Sequence, residues 1–222
     1  MRTLFRVVAG VAAVASVALS GTTAGAETWT GFYVGASAGG GTSKADLSFT
    51  SFGTFANQSG HGGLGGVQAG YNWQSGSILA GIEADYMFSG IKGQTSCPNA
   101  AFSCDHDLKG LGSVRGRLGW VAMPTAMLYF TAGIGWGSSK WRAVNVATGV
   151  AAGNGGASES NAGLVLGGGA EFLITNNWTI KGEYLHYNLG SATPSSGDFG
   201  TASVIDTKLS ADTFKLGLNY KF

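Results

Sequence analysis

The chain holds few residues suited to catalysis or metal binding: three histidines (His61, His106 and His186) and two cysteines (Cys97 and Cys104). His106 lies between Asp105 and Asp107, an acid-imidazole-acid run of the types that general base catalysis uses. Such chemistry also needs a nucleophile or activated water converging on the imidazole, and neighbours in sequence rarely supply that geometry. The run reads as a solvated segment, and no catalytic residue is assigned. Two sulfurs and one imidazole leave a zinc site incomplete, so no metal is assigned. Gly62 to Gly66, GGLGG, has neither the helix nor the Lys-Ser/Thr pair of a nucleotide loop after it.

A second constellation is more demanding. GSVRGRLGW sets Arg115 and Arg117 among Val114, Leu118 and Trp120, and Glu83, Asp85, Glu171, Lys181, Glu183 and Lys215 are likewise embedded in apolar segments. The elements that carry these eight residues decide what they can do.

Composition narrows those elements. Only 11% of the 222 residues are charged, against a usual quarter or so, while 39 are Gly and 3 are Pro. Residues 1–26 read as a cleaved secretory signal, with Arg2 and Arg6, the apolar run VVAGVAAVASVAL and the small-residue site Ala24-Gly25-Ala26. Without Arg2 and Arg6, 11 bases face 12 acids in residues 27–222, too little positive charge for nucleic-acid affinity. After residue 26 no run has the roughly 18 consecutive apolar residues of a membrane helix.

What recurs instead is alternation with period 2. In LYFTAGIGWG, Leu128, Phe130, Ala132, Ile134 and Trp136 share one face, and Tyr129, Thr131 and Gly133 share the other. The same split appears in WTGFYVGASAG, GVQAGYNWQ, SILAGIEADYMF, GSVRGRLGW, GLVLGGGAEFLI, WTIKGEYLHY and TFKLGLNYKF, giving eight strands in all. Short turns near Ser75, at Ala122 to Ala126 and at Thr175 to Asn177 alternate with long links around 40–62, 89–109, 138–161 and 190–207. Tight turns on one side and long loops on the other predict an eight-stranded antiparallel transmembrane β-barrel, all-β, with short periplasmic turns and four long extracellular loops. Residues 27–222 form that one domain. Trp29, Trp73, Trp120, Trp178 and Tyr220 fall at the periplasmic ends and Phe88 and Trp136 toward the outer ends, which predicts two aromatic girdles.

The barrel gives the arginines a place. Arg115 and Arg117 share the parity of Ser113 and Gly119, so they face the interior; facing lipid, each would cost roughly 2–4 kcal/mol at mid-bilayer depth. Four acids (Glu83, Asp85, Glu171 and Glu183) and four bases (Arg115, Arg117, Lys181 and Lys215) then share the lumen. Levelled strand ends put Glu83 opposite Arg115, Glu171 opposite Lys181 and Glu183 opposite Lys215, close enough to pair. Eight strands leave an interior that side chains fill, so an ion-paired plug is expected. A wetter lumen with unpaired charges is the alternative, and the strand count opposes a diffusion pore. A soluble lipocalin-like carrier would place the charged face outside. In an exported chain, Cys97 and Cys104, with six residues between them, are expected to form a disulfide.

WTGFYVGASAGG, GYNWQ, GIEADY, SVRGRLGW, LYFTAGIGWG, WTIKGEYLHYNLG and the terminal KLGLNYKF resemble the small alphaproteobacterial outer membrane β-barrel proteins over essentially all of 27–222. That family includes rhizobial and intracellular-pathogen surface antigens and haemin-binding members, some described as porin-like. The resemblance implies an integral outer membrane protein of a Gram-negative bacterium, in contact with outer membrane lipid and lipopolysaccharide; the residues themselves, with no converging catalytic set, give the expectation that it is not an enzyme. It also implies that the terminal Phe222 acts as the signal to the barrel assembly machinery. Two roles follow as expectations. One is a structural and surface-interaction role, with Phe49, Phe52 and Phe55 available to a host or environmental partner. The other is a surface receptor for haemin, the one candidate ligand, with His61 or His106 as axial ligand.

Overall fold

The computed structural model describes residues 29–49, 53–96, 101–150, 157–192 and 204–222. The expected signal segment, Phe52 and Cys97 lie outside the described residues, and with Cys97 so does the expected disulfide. Eight strands follow in chain order: β1 Gly31–Phe49, β2 Gly53–Ser75, β3 Ile78–Ser96, β4 Phe102–Met123, β5 Ala126–Asn145, β6 Ala157–Leu173, β7 Trp178–Ala192 and β8 Val204–Lys221. Each is antiparallel to its neighbours, and β8 pairs back onto β1 to close the barrel. Closure satisfies every strand edge inside the sheet, which is what permits strands to stand in hydrocarbon. No helix among the described residues is long and apolar enough to cross a membrane.

Alternation is what builds these strands. Phe32, Val67, Leu118, Ile134, Leu164 and Phe214 are exposed on the outer wall, while Tyr33, Gln68, Arg117, Val165 and Lys215 from the same strands are buried within. The turns are short: Gly76 and Ser77 between β2 and β3, Pro124 and Thr125 between β4 and β5, and 174–177 between β6 and β7. Gly76 has φ +59, the left-handed conformation that a two-residue hairpin needs and glycine tolerates best.

The other hairpins differ from expectation. Most of 40–62 and 89–109, and parts of 138–161 and 190–207, continue as strand: β1 and β2 stay paired from Gly31↔Asn72 to Phe49↔Gly53. Phe49 and Phe55 therefore belong to strands, as does His61. Above the bilayer both faces of a hairpin meet polar surroundings, so the apolar-polar alternation fades while backbone pairing continues.

Trp29 is a second correction. It is 1% exposed and packs inside with Leu79, Met127 and Tyr129, closing the turn end of the lumen instead of joining the girdle. It shares the parity of Tyr33, which already points inward. The girdle at that end is formed by Trp73, Trp120, Trp178, Tyr220 and Phe222, with Trp178 and Tyr220 edge to face at 5.2 Å.

Candidate functional site

The interior is layered. Along β3 the inward side chains run Leu79, then Glu83 and Asp85, then Met87 and Ile91; along β7 they run Thr179, Lys181 and Glu183, then Leu185, Tyr187 and Leu189. The charged layer thus lies between an apolar cluster at the turn end (Trp29, Leu79, Met127, Tyr129) and a larger one toward the long hairpins that includes Leu64, Leu108, Leu111 and Leu209.

All eight charged residues are buried in this layer. Glu83 is its hub. Its Oε1 accepts from Arg115 Nη2 at 2.6 Å and Lys181 Nζ at 2.8 Å, and its Oε2 from Tyr33 Oη at 2.7 Å and Lys181 Nζ at 2.6 Å. Arg115 extends across the lumen to Glu183 Oε1 at 3.0 Å, and Glu183 Oε2 lies 3.1 Å from Lys215 Nζ. Lys215 and Ser113 both donate to Asp85. Arg117 donates to Glu171 at 2.6 Å and to the Tyr33 hydroxyl at 2.8 Å, and its guanidinium sits 4.0 Å from the Tyr129 ring centre, a cation–π contact. Glu171 also accepts from Thr179 at 2.5 Å and Asn219 at 2.9 Å.

The register places the three expected couples opposite one another: Glu83↔Arg115, Glu171↔Lys181 and Glu183↔Lys215. The first and third make ion pairs at 2.6 Å and 3.1 Å. The middle couple does not, since Lys181 turns to Glu83 while Glu171 takes Arg117 from β4. In so narrow a barrel, inward side chains of non-adjacent strands are within reach, and two bases around Glu83 make a better match than one.

Sequence reasoning missed the neutral members, Tyr33, Tyr129, Ser113, Thr179, Asn219 and the Gln68 that donates to Asn219 at 2.7 Å. Their inward parity was the signal. Two of them also explain glycines. A Cβ on Gly70 would strike the Tyr33 ring, and one on Gly169 would come within 2.9 Å of the Tyr129 ring, so glycine there lets each ring reach the charged layer.

The histidines lie elsewhere. His61 is exposed on the outer wall of β2, opposite Thr42 and Lys92, not in a loop. His106 is in β4 opposite Gly93, and Cys104 in β4 opposite Thr95. His186 Nδ1 is 2.8 Å from Asp212 Oδ1 on the outer wall, and Tyr184 Oη donates to the same oxygen at 2.6 Å. Near the outer rim Asp107 accepts from Lys109 at 2.9 Å and Arg142 at 3.2 Å. Burial pushes that carboxyl up, but the Lys109 hydrogen bond and the surrounding cations outweigh it and hold Asp107 below the usual carboxylate range. The terminal Phe222 is exposed, with its backbone N–H donating to Phe32 O at 3.0 Å.

A closed eight-stranded barrel with an apolar outer wall and aromatic ends is the architecture of an integral outer membrane protein. The chain belongs to the outer membrane protein beta-barrel domain family, whose profile matches residues 9–222. It is 36% identical over 205 residues to the 31 kDa outer-membrane immunogenic protein of Brucella melitensis, covering 87% of this chain and 84% of that one. It is 32% identical over 199 residues to the 22 kDa outer membrane protein of Rhizobium leguminosarum bv. viciae, covering 89% and 80%. Among solved structures the fold is similar to the outer membrane protein OprG of Pseudomonas aeruginosa, with a TM-score of 0.53 at 11% identity over 87% of this chain and 96% of that one.

Proposed function

We propose that the protein is a closed, non-conducting barrel that reinforces the outer membrane and displays its long hairpins at the cell surface. The observation that carries this reading is the layered lumen. Ions would have to pass two apolar clusters, where they are poorly solvated, and between them a layer whose charges already satisfy one another. The name of the Brucella relative, an outer-membrane immunogenic protein, supports display toward the outside. The exposed Phe222 at the turn end is free to engage the assembly machinery before closure onto β1.

The test is conductance of the refolded full chain in planar bilayers. No sustained current is expected from the native sequence, and steady currents of porin size would overturn the proposal. A variant that empties the outer cluster, Leu111→Ala with Leu185→Ala, is expected to remain closed because the charged layer lies beneath.

A further inference from the structure

A polar trio stands on the outer wall, apart from the interior layer. Asp212 on β8 lies opposite His186 on β7, and Tyr184, the next outward residue of β7, lies opposite Phe214. Both β7 side chains converge on one oxygen: His186 Nδ1 is 2.8 Å from Asp212 Oδ1, and Tyr184 Oη donates to it at 2.6 Å. All three can be reached from outside, since the side chains of His186 and Asp212 are 47% and 35% exposed and Tyr184 is exposed too.

Their level makes the carboxylate unusual. His186 is eight residues beyond Trp178 on β7, and Asp212 eight before Tyr220 on β8. At about 3.3 Å per residue and a strand tilt near 40°, they stand ~20 Å above the turn-end girdle. The apolar band is about 25 Å tall, so the trio lies at its outer edge. Phe214, Leu216 and Leu218 continue the outward row of β8 below it. A phenol and an imidazole lessen the cost of an acid there, but an apolar residue at 212 would remove it, and ionisable side chains at such depth mark function.

The spacing is that of a coordination shell. Around an ion with bonds of about 2.0 Å, ligand atoms at right angles are ~2.8 Å apart. An inserted ion can therefore take the place of the two bridging protons with little movement of the side chains. Among the described residues no three of His, Cys, Asp and Glu stand together; here the third donor is a phenol. A cavity of about 500 Å³ that Thr42, Tyr184 and Asp212 help to line adjoins the trio and has room for the ion's remaining ligands.

We propose that Tyr184, His186 and Asp212 form a binding site for ferric iron on the outer wall. The donor set selects the ion. With an ordinary pKa of about 10, a phenol yields its proton near neutrality only to a strongly acidic cation. Calcium and magnesium are not such cations and take more oxygens, and zinc favours thiolate and imidazole. On binding, the Tyr184 proton leaves to solvent, neutral His186 keeps its proton on Nε2, and the iron is neither oxidised nor reduced. The ionised trio then carries two negative charges, against the single cation Lys44 on β1, diagonal to Asp212. The site lies outside the lumen and is independent of whether the barrel conducts.

The folded full chain in detergent is titrated with ferric nitrilotriacetate. One equivalent is expected to bind and to give a visible phenolate-to-iron charge-transfer band. Tyr184→Phe, which keeps the ring, is expected to abolish the band. Asp212→Asn and His186→Gln are expected to lower the affinity at least tenfold, each with the native heat-dependent gel shift as proof of folding. Tyr86→Phe, which removes another outward phenol, is expected to leave band and affinity unchanged. Zinc is expected to bind at least tenfold more weakly. Absence of the band, a band that survives in Tyr184→Phe, unchanged affinity in folded Asp212→Asn, or equal affinity for zinc would overturn the proposal.

Discussion

Arg115 ties two sides of the interior together, because it joins Glu83 on the adjacent strand to Glu183 across the lumen. Breaking a buried pair from one side typically costs about 3–5 kcal/mol, since the other charge stays buried without its partner. Arg115→Ala is expected to lower the unfolding midpoint in denaturant substantially, and adding Glu83→Ala to recover part of the loss. The recovery is incomplete because Glu83 also holds Lys181. A double-mutant cycle on Arg115 and Glu183 should give a coupling of about 0.5–3 kcal/mol. Strictly additive effects there would mean that the lumen is not bridged. Gly70→Ala is a test of a different kind. Its methyl would occupy the place of the Tyr33 ring, withdrawing a hydroxyl from both Glu83 and Arg117, and a stability at or above the native level would contradict that packing.

The strands carry the orientation. Turns at 76–77, 124–125 and 174–177 stand at one end, and the extended hairpins at the other. Protease added to intact cells is therefore expected to cut only in the hairpins and to spare Asn176 and Asn177; cleavage at either from outside would reverse the barrel in the membrane. The extended pairing of β1 with β2 makes a further expectation. Amides of 39–46 should exchange slowly with solvent, as paired strand does and open loop does not, and rapid exchange there would restore the loop.

The closed barrel makes one prediction as a whole. Its sheet has no free edge, because β8 pairs back onto β1 from Tyr33↔Lys221 to Phe49↔Val204, so it opens only when a whole seam between neighbouring strands parts. Unboiled protein should migrate differently from boiled protein on a detergent gel. Mobility that ignores heating would count against closure.

The strand count, the faces and the membrane location were legible in the chain because each follows from a local demand. A strand between lipid and a packed lumen must alternate, and Arg115 and Arg117 within an apolar run have only one face to take. The three opposed couples were legible too: a short turn fixes the register of Glu171 with Lys181, and levelling the periplasmic strand ends places Glu83 opposite Arg115 and Glu183 opposite Lys215, although long hairpins join those strands. What escaped were consequences of closure. Lys181 abandons Glu171 for Glu83, and Arg115 reaches Glu183, because bending the sheet into a narrow tube makes neighbours of strands that are distant in sequence. Trp29 escaped for a related reason: its parity is inward, but only the closed barrel provides the space beside Leu79 and Tyr129 that buries it. The hairpins continue as strand above the membrane because backbone pairing needs no alternation, so side-chain pattern, the one signal a linear reading has, is silent exactly where the surface begins.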